Sequence, residues 1–282
     1  MIEVLAPGPL ATVQDLGRPG QAALGVGPSG AADRGALRLA NRLVGNSDRA
    51  AAIEVTFGGL RLRFAVPALI ACTGASAPAS VAGRPVGMNA PIAVPADTEL
   101  VLGSPVQGLR TYLAVRGGID VPPVLGSRST DLLSGIGPPV LQRGMELPIA
   151  RMTAGFPLLD VAPVAPLPDR PVLPVVPGPR DDWFTPAALA ALTRQPWTVS
   201  SDSNRIAVRL NGPILDRVVE GELPSEGLLR GAIQVPPNGQ PVVFVADHPV
   251  TGGYPVIAVV DEAGVDLIAQ ARPGDVVRFG LH

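Results

Sequence analysis

Short runs of apolar residues, each broken within a few positions by glycine, proline or a charged side chain, make up most of the chain. Residues 60–64 alternate apolar and charged side chains, which is the period of a half-buried β-strand. Three further runs, at 111–115, 242–246 and 256–260, are rich in aliphatic residues and have the same β character. This pattern predicts a mostly β protein built from short strands and tight turns.

A turn followed by a strand recurs at distant points of the sequence. Residues 95–102 and 273–279 both open with proline, a small residue and aspartate, and both continue into an apolar run. Residues 144–147 offer a weaker copy. The recurrence indicates that the two halves of the chain share an architecture.

Three segments have helical patterns instead. Residues 33–44 carry an apolar stripe at helical spacing, with Asp33 placed to cap the start and Gly45 placed to end the helix in the left-handed region. A second helix is predicted to begin where Thr185 is followed by proline. A third, shorter helix is predicted at 265–270.

A proline-rich stretch separates the halves. Seven prolines with few charged or hydrogen-bonding neighbours lie between Phe156 and Pro179. We predict a stiff linker at 157–180, neither helix nor central strand, between β domains at 1–156 and 181–282. The alternative is a long edge segment that crosses one large domain.

Composition excludes several chemistries. All 22 cationic residues are arginine, so Schiff-base chemistry, pyridoxal phosphate attachment, a Walker lysine and a biotinylated lysine are excluded in this chain. Cys72 is the single cysteine and there are two histidines, too few for an internal disulfide, a cysteine-based zinc site or a multi-histidine centre. We therefore predict no metal site from these residues. A net charge of −2 argues against a nucleic-acid partner.

Nothing in the sequence indicates a membrane segment. No export signal opens the chain, and its longest apolar run, residues 64–72, is about half a membrane span and contains Pro67. We expect a soluble, cytoplasmic protein with no membrane partner.

Candidate chemistry in the first half lies in turns. Gln14, Asp15 and Arg18 place an amide, a carboxylate and a guanidinium within five residues. An Asp15–Arg18 pair that only holds the turn is the simpler interpretation, and spacing alone favours it. Residues 29–33 form a glycine turn entering a helix, where backbone N–H groups either receive an anion or are capped by Asp33.

Two further arginines follow strand-like runs. Arg116 precedes paired glycines, which would let the backbone approach a ligand closely. Arg128 and Asp131 lie among hydroxyl groups in residues 125–131, a density of groups suited to binding an anion. A plain polar turn is the alternative.

The second half offers polar clusters beside short strands. The candidates are Asn204, Arg205, Glu226, Gln234, Thr251, Gly252 and Gly253. The two glycines could form an N–H nest for a phosphate or carboxylate, although no G-x-G-x-x-G pattern supports a dinucleotide site. His248 fits a solvated loop residue better than a catalytic base.

Motifs along nearly the whole chain carry a family resemblance. They are Thr12-Val13-Gln14-Asp15-Leu16-Gly17-Arg18, Ser29-Gly30-Ala31-Ala32-Asp33, Ala40-Asn41-Arg42-Leu43-Val44-Gly45-Asn46, Ile53-Glu54, Tyr112-Leu113-Ala114-Val115-Arg116-Gly117-Gly118-Ile119, Leu125-Gly126-Ser127-Arg128-Ser129-Thr130-Asp131, Ser203-Asn204-Arg205, Ser225-Glu226-Gly227, Ile233-Gln234-Val235-Pro236-Pro237 and Thr251-Gly252-Gly253-Tyr254-Pro255. Together they resemble the biotin-dependent carboxyltransferase family. Its members include the C subunit of 5-oxoprolinase, also called allophanate hydrolase subunit 2, a sporulation-regulator antagonist and part of urea amidolyase.

The resemblance implies a fold, partners and a reaction. The fold is a pair of cyclophilin-like β-barrel domains with a few short helices. The partners are a protein like the B subunit of 5-oxoprolinase (allophanate hydrolase subunit 1-like) and an A-type lactam-utilisation protein. With them, the family opens the lactam of 5-oxoproline to glutamate, using ATP with Mg²⁺, and biotin would take part only in trans.

Three positions depart from the family pattern. Ala32 stands where methionine is usual, and Ile206-Ala207 stands where Met-Gly is usual. Residues 247–250 replace a polar Gln-Thr sequence, directly before Thr251. The last change bears on the identity of the substrate more than on the fold.

Site roles follow from the residues that the resemblance selects. A lactam carbonyl is a poor electrophile, so ATP would phosphorylate its oxygen while Mg²⁺ shields the phosphates. A substrate carboxylate needs a bidentate cation, for which the candidates are Arg18, Arg116, Arg128 and Arg205. Asp15, Asp131 and Glu226 are candidates to position a proton or a metal-bound water, and the sequence does not divide these roles among them.

Two other functions stay open at this point. One is a carboxyltransferase acting on urea or another amide, with biotin delivered in trans; the other is a non-catalytic regulator that binds a kinase-inhibitor partner. Because the hydrogen-bonding candidates fall in both halves, we expect a cleft in which Arg128 or Arg205 grips a carboxylate and Gly252-Gly253 donates backbone hydrogen bonds.

Overall fold

The chain folds into two compact units. The computed structural model describes residues 1–151, 155–156, 159–221 and 223–281. The first unit comprises Met1–Arg18, Ser29–Asp131 and Gly135–Pro166, and the second comprises Pro19–Pro28, Leu132–Ser134 and Leu167–His282. The prediction of a mostly β protein is confirmed, since strands outweigh helices in both units.

Two sheets make up the first unit. Its strands are β1 (Ile2–Pro7), β2 (Leu10–Gln14), β3 (Ala52–Thr56), β4 (Leu60–Phe64), β5 (Ala68–Ser76), β6 (Ala79–Val81), β7 (Arg84–Val86), β8 (Ile92–Val94), β9 (Thr98–Leu102), β10 (Gln107–Val115) and β11 (Glu146–Leu147). One sheet has the order β11-β1-β4-β9-β6-β7 and the other the order β2-β3-β10-β5-β8, with antiparallel pairing.

The alternating segment forms β4, as its pattern predicts. Its three apolar side chains are fully buried, whereas Arg61 and Arg63 face solvent. Arg61 Nε lies 2.6 Å from Glu99 on β9, and Arg63 Nη1 lies 3.2 Å from Glu3 on β1. The inward residues join the core while the outward charges pair across the sheet.

Helix α1 (Arg34–Leu43) packs on the second sheet. Asp33 Oδ1 accepts a hydrogen bond from the Ala36 N–H at 2.8 Å, and Gly45 ends the helix with a φ of 71°. The buried face of α1 packs against a cluster that includes Tyr112 of β10. The helix prediction and both of its end signals are confirmed.

The second unit is built on a closed barrel. Its strands are β12 (Val172–Pro177), β13 (Trp197–Val199), β14 (Ala207–Asn211), β15 (Glu226–Gly227), β16 (Ala232–Gln234), β17 (Val242–Phe244), β18 (Thr251–Gly252), β19 (Val256–Val260) and β20 (Val276–Leu281). The barrel runs β12-β19-β16-β17-β14-β13-β20, and β15 pairs with β18 as a separate two-stranded ribbon. Trp197 and Phe279 are among the large side chains buried in its core.

Two helices accompany the barrel. Helix α2 (Pro186–Arg194) begins after Thr185, whose hydroxyl accepts from the Ala188 N–H at 3.0 Å, as predicted. Helix α3 (Glu262–Ile268) starts three residues before the predicted segment, because Asp261 caps it through the Gly264 N–H. No helix in the described ranges is both long and apolar enough to cross a membrane.

The proline-rich stretch requires a correction. Val172–Pro177 is not linker but strand β12, which pairs with β20 along its first part and with β19 along its last part. Leu173 and Val175 point into the core. Since each neighbour covers only part of β12, each proline removes one ladder position without interrupting a long ladder.

Candidate functional site

Asp15 is the hub of a buried turn in the first unit. It directly follows β2, and its carboxylate accepts four hydrogen bonds. Oδ1 accepts from the Gly17 N–H at 2.7 Å, the Ser127 hydroxyl at 2.6 Å and the Ser129 hydroxyl at 2.5 Å, and Oδ2 accepts from the Arg128 N–H at 2.7 Å. Asp15 therefore joins the end of β2 to residues 127–129, and its lone pairs are occupied by the protein's own donors.

Arg18 is also buried, and its partner is not Asp15. Arg18 Nη2 donates to the Ser129 carbonyl, and Nη1 lies 3.9 Å from Asp131 Oδ2. Both side chains of this ion pair are almost fully enclosed. The structure thus separates the two residues that spacing favours as a pair, and gives each its own partners.

Gln14 lies beside this turn with an incomplete set of hydrogen bonds. Its Nε2 donates to Thr12 Oγ1 at 3.0 Å and to the Thr130 carbonyl at 2.9 Å. Gln14 Oε1, Thr130 Oγ1 and Arg18 Nη1 are buried without a hydrogen bond in the described part of the chain. The Gln14 side-chain carbonyl, the Thr130 hydroxyl and one Arg18 nitrogen thus lie near residues 129–131 without a hydrogen bond to any described residue. Each buried polar group without a partner costs about 1–3 kcal/mol of stability.

The two remaining candidate arginines of the first unit, Arg116 and Arg128, already have partners within the protein. Arg128 Nε donates to the Val121 carbonyl at 2.7 Å, and Nη2 pairs with Asp120 at 3.0 Å. Arg116 lines an apolar cavity of about 500 Å³. Its guanidinium lies 4.2 Å from the centre of the Phe156 ring and donates to two backbone carbonyls.

The glycine turn before α1 receives an internal carboxylate. Glu54 Oε2 accepts from the Ala32 N–H at 2.9 Å and from the Tyr112 hydroxyl at 2.7 Å. The Asp33 N–H donates to that same hydroxyl at 2.8 Å. Burial, followed by the nearby Glu54 charge, raises the pKa of Tyr112 well above its usual value. Of the two alternatives for residues 29–33, the structure shows both within the protein: Asp33 caps the helix, and the Ala32 N–H binds the Glu54 carboxylate, a role of Glu54 that was missed in the sequence.

Arg205 of the second unit holds a buried ion pair. Its Nε and Nη2 donate to Asp247 at 2.9 and 3.0 Å, and both side chains are almost completely buried. The Leu132 N–H also donates to Asp247, at 3.2 Å. Asp247 thus occupies the Nε and Nη2 side of the Arg205 guanidinium, which a substrate carboxylate would need for a bidentate contact.

His248 differs from its expected setting. It is only 4% exposed, whereas the sequence favoured a solvated loop residue. Its Nδ1 lies 2.8 Å from the Pro249 carbonyl oxygen. Because a carbonyl only accepts, Nδ1 carries the proton of this hydrogen bond.

Glu226 is fixed by an arginine from the end of the proline-rich stretch. Arg180 Nε lies 3.0 and 3.1 Å from the two carboxylate oxygens, and Nη2 also bonds to Oε1. This hydrogen-bonded pairing lowers the pKa of Glu226 and raises the pKa of Arg180. Glu226 is therefore ionised at neutral pH and is poorly suited to donate a proton.

The loop that follows β18, residues 253–255, is anchored on both sides. Glu226 and Gly227 of β15 pair with Gly252 and Thr251 of β18. Gln234 Nε2 donates to the Tyr254 carbonyl at 2.9 Å, which holds the middle of the loop.

The far end of the same loop is also fixed. The Val235 N–H donates to the Pro255 carbonyl at 3.2 Å, and the Arg180 N–H donates to the Val256 carbonyl at 3.1 Å. In contrast, the N–H groups of Gly253 and Tyr254 donate no hydrogen bond within the described residues. A rigid loop with two available N–H donors suits an oxygen that carries negative charge.

Two candidates have purely local or surface positions. Asn204 Oδ1 accepts from the N–H groups of Ile206 and Ala207, at 2.8 and 3.2 Å, which closes its own turn. The Thr251 side chain is exposed at the edge of the β15–β18 ribbon. In each unit the structure gathers several predicted residues: Gln14, Asp15, Arg18, Arg128 and Asp131 in the first, and Glu226, Gln234, Thr251, Gly252 and Gly253 in the second.

In the described part of the chain, Asp15 and Glu226 do not offer free carboxylate oxygens to a Mg²⁺–ATP complex. Mg²⁺ is held by carboxylates that leave room for water and phosphate oxygens. In the described ranges, no group of three or more histidine, cysteine or acidic side chains is placed to hold a metal ion. Asp15 and Glu226 are occupied by N–H, hydroxyl or guanidinium donors, and no lysine is available for a phosphate.

Comparison with known proteins places these motifs in a family. The family described as carboxyltransferase domain, subdomain A and B, matches residues 24–281. The chain is 42% identical to the C subunit of 5-oxoprolinase from Escherichia coli (strain K12), over 99% of this chain and 90% of that protein. It is 38% identical to urea amidolyase of Lachancea kluyveri, over 98% of this chain and 17% of that protein.

A solved structure has the same fold. The crystal structure of TTHA0988 matches with a TM-score of 0.91 and 36% identity, covering 99% of this chain and 55% of that one. The chain thus spans about half of that solved protein and less than a fifth of the urea amidolyase.

Proposed function

Because this chain belongs to the carboxyltransferase family of subdomains A and B, we propose that it is one component of a 5-oxoprolinase, a complex that opens the lactam of 5-oxoproline to glutamate with ATP hydrolysis. The observation that carries the proposal is the 42% identity to a protein named as the C subunit of a 5-oxoprolinase, which extends over nearly the full length of both chains. Because that relative is named as one subunit of an enzyme, we expect this chain to act with partner proteins as well. They would be a B-type 5-oxoprolinase protein and an A-type lactam-utilisation protein.

The loop after β18 is the part of the chain that we assign to the lactam. When water adds to the lactam carbonyl carbon, negative charge develops on the carbonyl oxygen; the ring C–N bond then breaks and the nitrogen takes up a proton. Preorganised N–H donors stabilise the charge on that oxygen. Gly253 and Tyr254 offer two such donors, and the pairing with β15 and the Gln234 hydrogen bond hold them in place. Glu226 acts here as a positioning residue that fixes β15 through Arg180, not as an acid or base.

We propose that ATP is bound and hydrolysed by the partner proteins and not by this chain. ATP supplies the free energy for opening an unreactive amide. Because Asp15 and Glu226 are occupied by donors of the protein and the chain has no lysine, we assign the nucleotide to the partner proteins.

Reconstitution tests the proposal. The chain is co-expressed with the B-type and A-type partner proteins, and ATP hydrolysis is measured with and without 5-oxoproline. We expect hydrolysis that depends on 5-oxoproline only when this chain and its partners are present together. Full activity from the chain alone, or from the partners alone, would contradict it.

A second function has its own support. The 38% identity to a urea amidolyase favours a carboxyltransferase that acts on urea or a similar amide, with biotin delivered by another chain or domain. The unusual residues 247–250 before the loop are consistent with a different substrate. Carboxylation of urea by the reconstituted complex with a biotin-carrying partner, without 5-oxoproline turnover, would favour this function.

A further inference from the structure

A second cavity lies in the barrel unit, between the segment after β14 and the turn after β16. It has a volume of about 370 Å³, within the usual range of about 300–1,000 Å³ for small-molecule sites. Ile214, Val219, Pro236 and Pro237 give it apolar walls, and Arg217 is its single cationic lining residue.

The guanidinium of Arg217 is only partly satisfied. Its Nη2 donates to the Val235 carbonyl, and its Nε is buried without a hydrogen bond. Nη1 also makes no hydrogen bond with the described residues, and it is not enclosed as Nε is. Arg217 therefore presents an accessible N–H donor pair to the cavity.

The positive charge of Arg217 lacks a carboxylate partner among the described residues. Burial lowers the pKa of this guanidinium, and Tyr254 is the one group whose charge opposes that shift. Arg217 is half-buried, so its charge loses part of its hydration, and a partner of opposite charge would offset that loss. An anionic ligand would supply the missing partner.

Other arginines of the same unit show what that partner should be. Arg205 is paired with the Asp247 carboxylate, and Arg180 with the Glu226 carboxylate. The four arginines that the sequence offered for a substrate carboxylate are all engaged by the protein, so Arg217 is the better candidate.

Two acidic residues at the rim of the cavity, Asp216 and Glu220, further limit the class of ligand that it can bind. Both residues are exposed, and their negative charge disfavours a purely anionic molecule. A ligand with N–H groups at its other end would turn this repulsion into hydrogen bonding.

The cavity also adjoins the loop assigned to the lactam. Val235, whose carbonyl binds Arg217, donates its N–H to Pro255 at the end of that loop. Val235 thus contacts both Arg217, in the cavity, and Pro255, at the end of the loop.

We propose that the cavity at Arg217 binds a small carboxylate that also carries N–H donors, with the carboxylate on Nη1 of Arg217 and the N–H groups toward the acidic rim. The naming of 5-oxoproline as this ligand rests on the proposed function; the carboxylate site itself does not.

Titration calorimetry on the full chain tests the site. The probes are 5-oxoproline, glutamate, acetate and 2-pyrrolidinone, which is the same lactam without the carboxylate. We expect 5-oxoproline to bind and Arg217→Gln to weaken it at least tenfold. The matched control Arg278→Gln removes an exposed charge on β20, outside the cavity, and should leave affinity unchanged.

The outcomes separate this site from the proposed function. Equal binding of 5-oxoproline to wild type and Arg217→Gln overturns the site but leaves the function standing. Arg217-dependent binding of glutamate or acetate without binding of 5-oxoproline supports the site and counts against that substrate. Binding of none of the carboxylates overturns the site.

A soaked crystal of the wild-type chain answers the same question if Arg217→Gln does not fold. We expect the carboxylate of 5-oxoproline within hydrogen-bond distance of Arg217 Nη1. A ligand bound elsewhere, or 2-pyrrolidinone bound in the cavity as tightly as 5-oxoproline, contradicts the assignment.

Discussion

At the scale of single residues, a carboxylate's role is decided by what already occupies its oxygens. Asp15 and Glu226 are both acid–base candidates by residue type, yet each is held by several donors of the protein. Each carboxylate is thus fixed by donors of the protein and organises the backbone around it. We therefore regard both as structural supports of the turns and strands that they join.

Asp15→Ala should lower stability much more than a surface substitution. Four donors would lose their acceptor in a buried turn, which costs about 3 kcal/mol and lowers Tm by about 6 to 12 °C. Asp120→Ala is the matched control, because it removes an exposed partner of Arg128 worth less than about 1 kcal/mol. Equal melting temperatures for the two variants would contradict the structural role of Asp15.

Glu226→Gln should change the level of activity without changing its pH dependence. Arg180 lowers the pKa of Glu226, so the ion pair is complete above the ordinary glutamate range of about pH 4.3 and is lost only as pH falls below it. Measured between pH 5.5 and 9 in the reconstituted complex, kcat/KM of the variant should run parallel to that of wild type. Loss of one limb of the profile would instead identify Glu226 as an acid or base.

At the scale of elements, the loop after β18 depends on how closely its neighbours approach. A Cβ on Gly252 would lie 2.7 Å from Gln234 Nε2 and 2.8 Å from Leu228 Cδ1. On Gly253, a Cβ would meet only the Leu223 carbonyl, at 3.3 Å. These adjacent glycines therefore differ in their tolerance of a methyl group.

Gly252→Ala should displace the Gln234 amide and break its bond to Tyr254, so the loop's donors move. We expect kcat/KM to fall about 10- to 100-fold, with Tm within about 3 °C of wild type. Gly253→Ala is the control and should retain most activity. Equal activity of the two variants would show that the Gln234 anchor does not matter for catalysis.

The elements also show how far local sequence rules reach. The alternation of β4 and the Thr185-Pro186 start of α2 are local signals, and both elements form where they are predicted. Strand β12 was missed because its prolines indicate a linker, while its partners lie 81 to 106 residues onward along the chain.

Contacts within the candidate sites are less predictable still. Asp15 meets Ser127 across 112 positions, and Arg180 meets Glu226 across 46. No spacing rule connects residues so far apart. The motifs identify which turns matter, but only the fold shows that Arg18 pairs with Asp131 and that Arg217 keeps an accessible donor.

At the scale of the whole molecule, the chain matches one part of a larger enzyme in several relatives. It corresponds to about a sixth of the urea amidolyase of Lachancea kluyveri, at 17% of that protein. The relative with 42% identity is named as one subunit of an enzyme, which fits a protein that supplies binding groups to a larger assembly. We therefore propose that the activity of this chain depends on partner proteins.

Formation of labelled glutamate from isotopically labelled 5-oxoproline tests that claim most directly. The measurement compares the partner proteins alone, this chain alone and the complete complex, each with ATP. We expect labelled glutamate only from the complete complex. Glutamate formed at the same rate when this chain is omitted would contradict it.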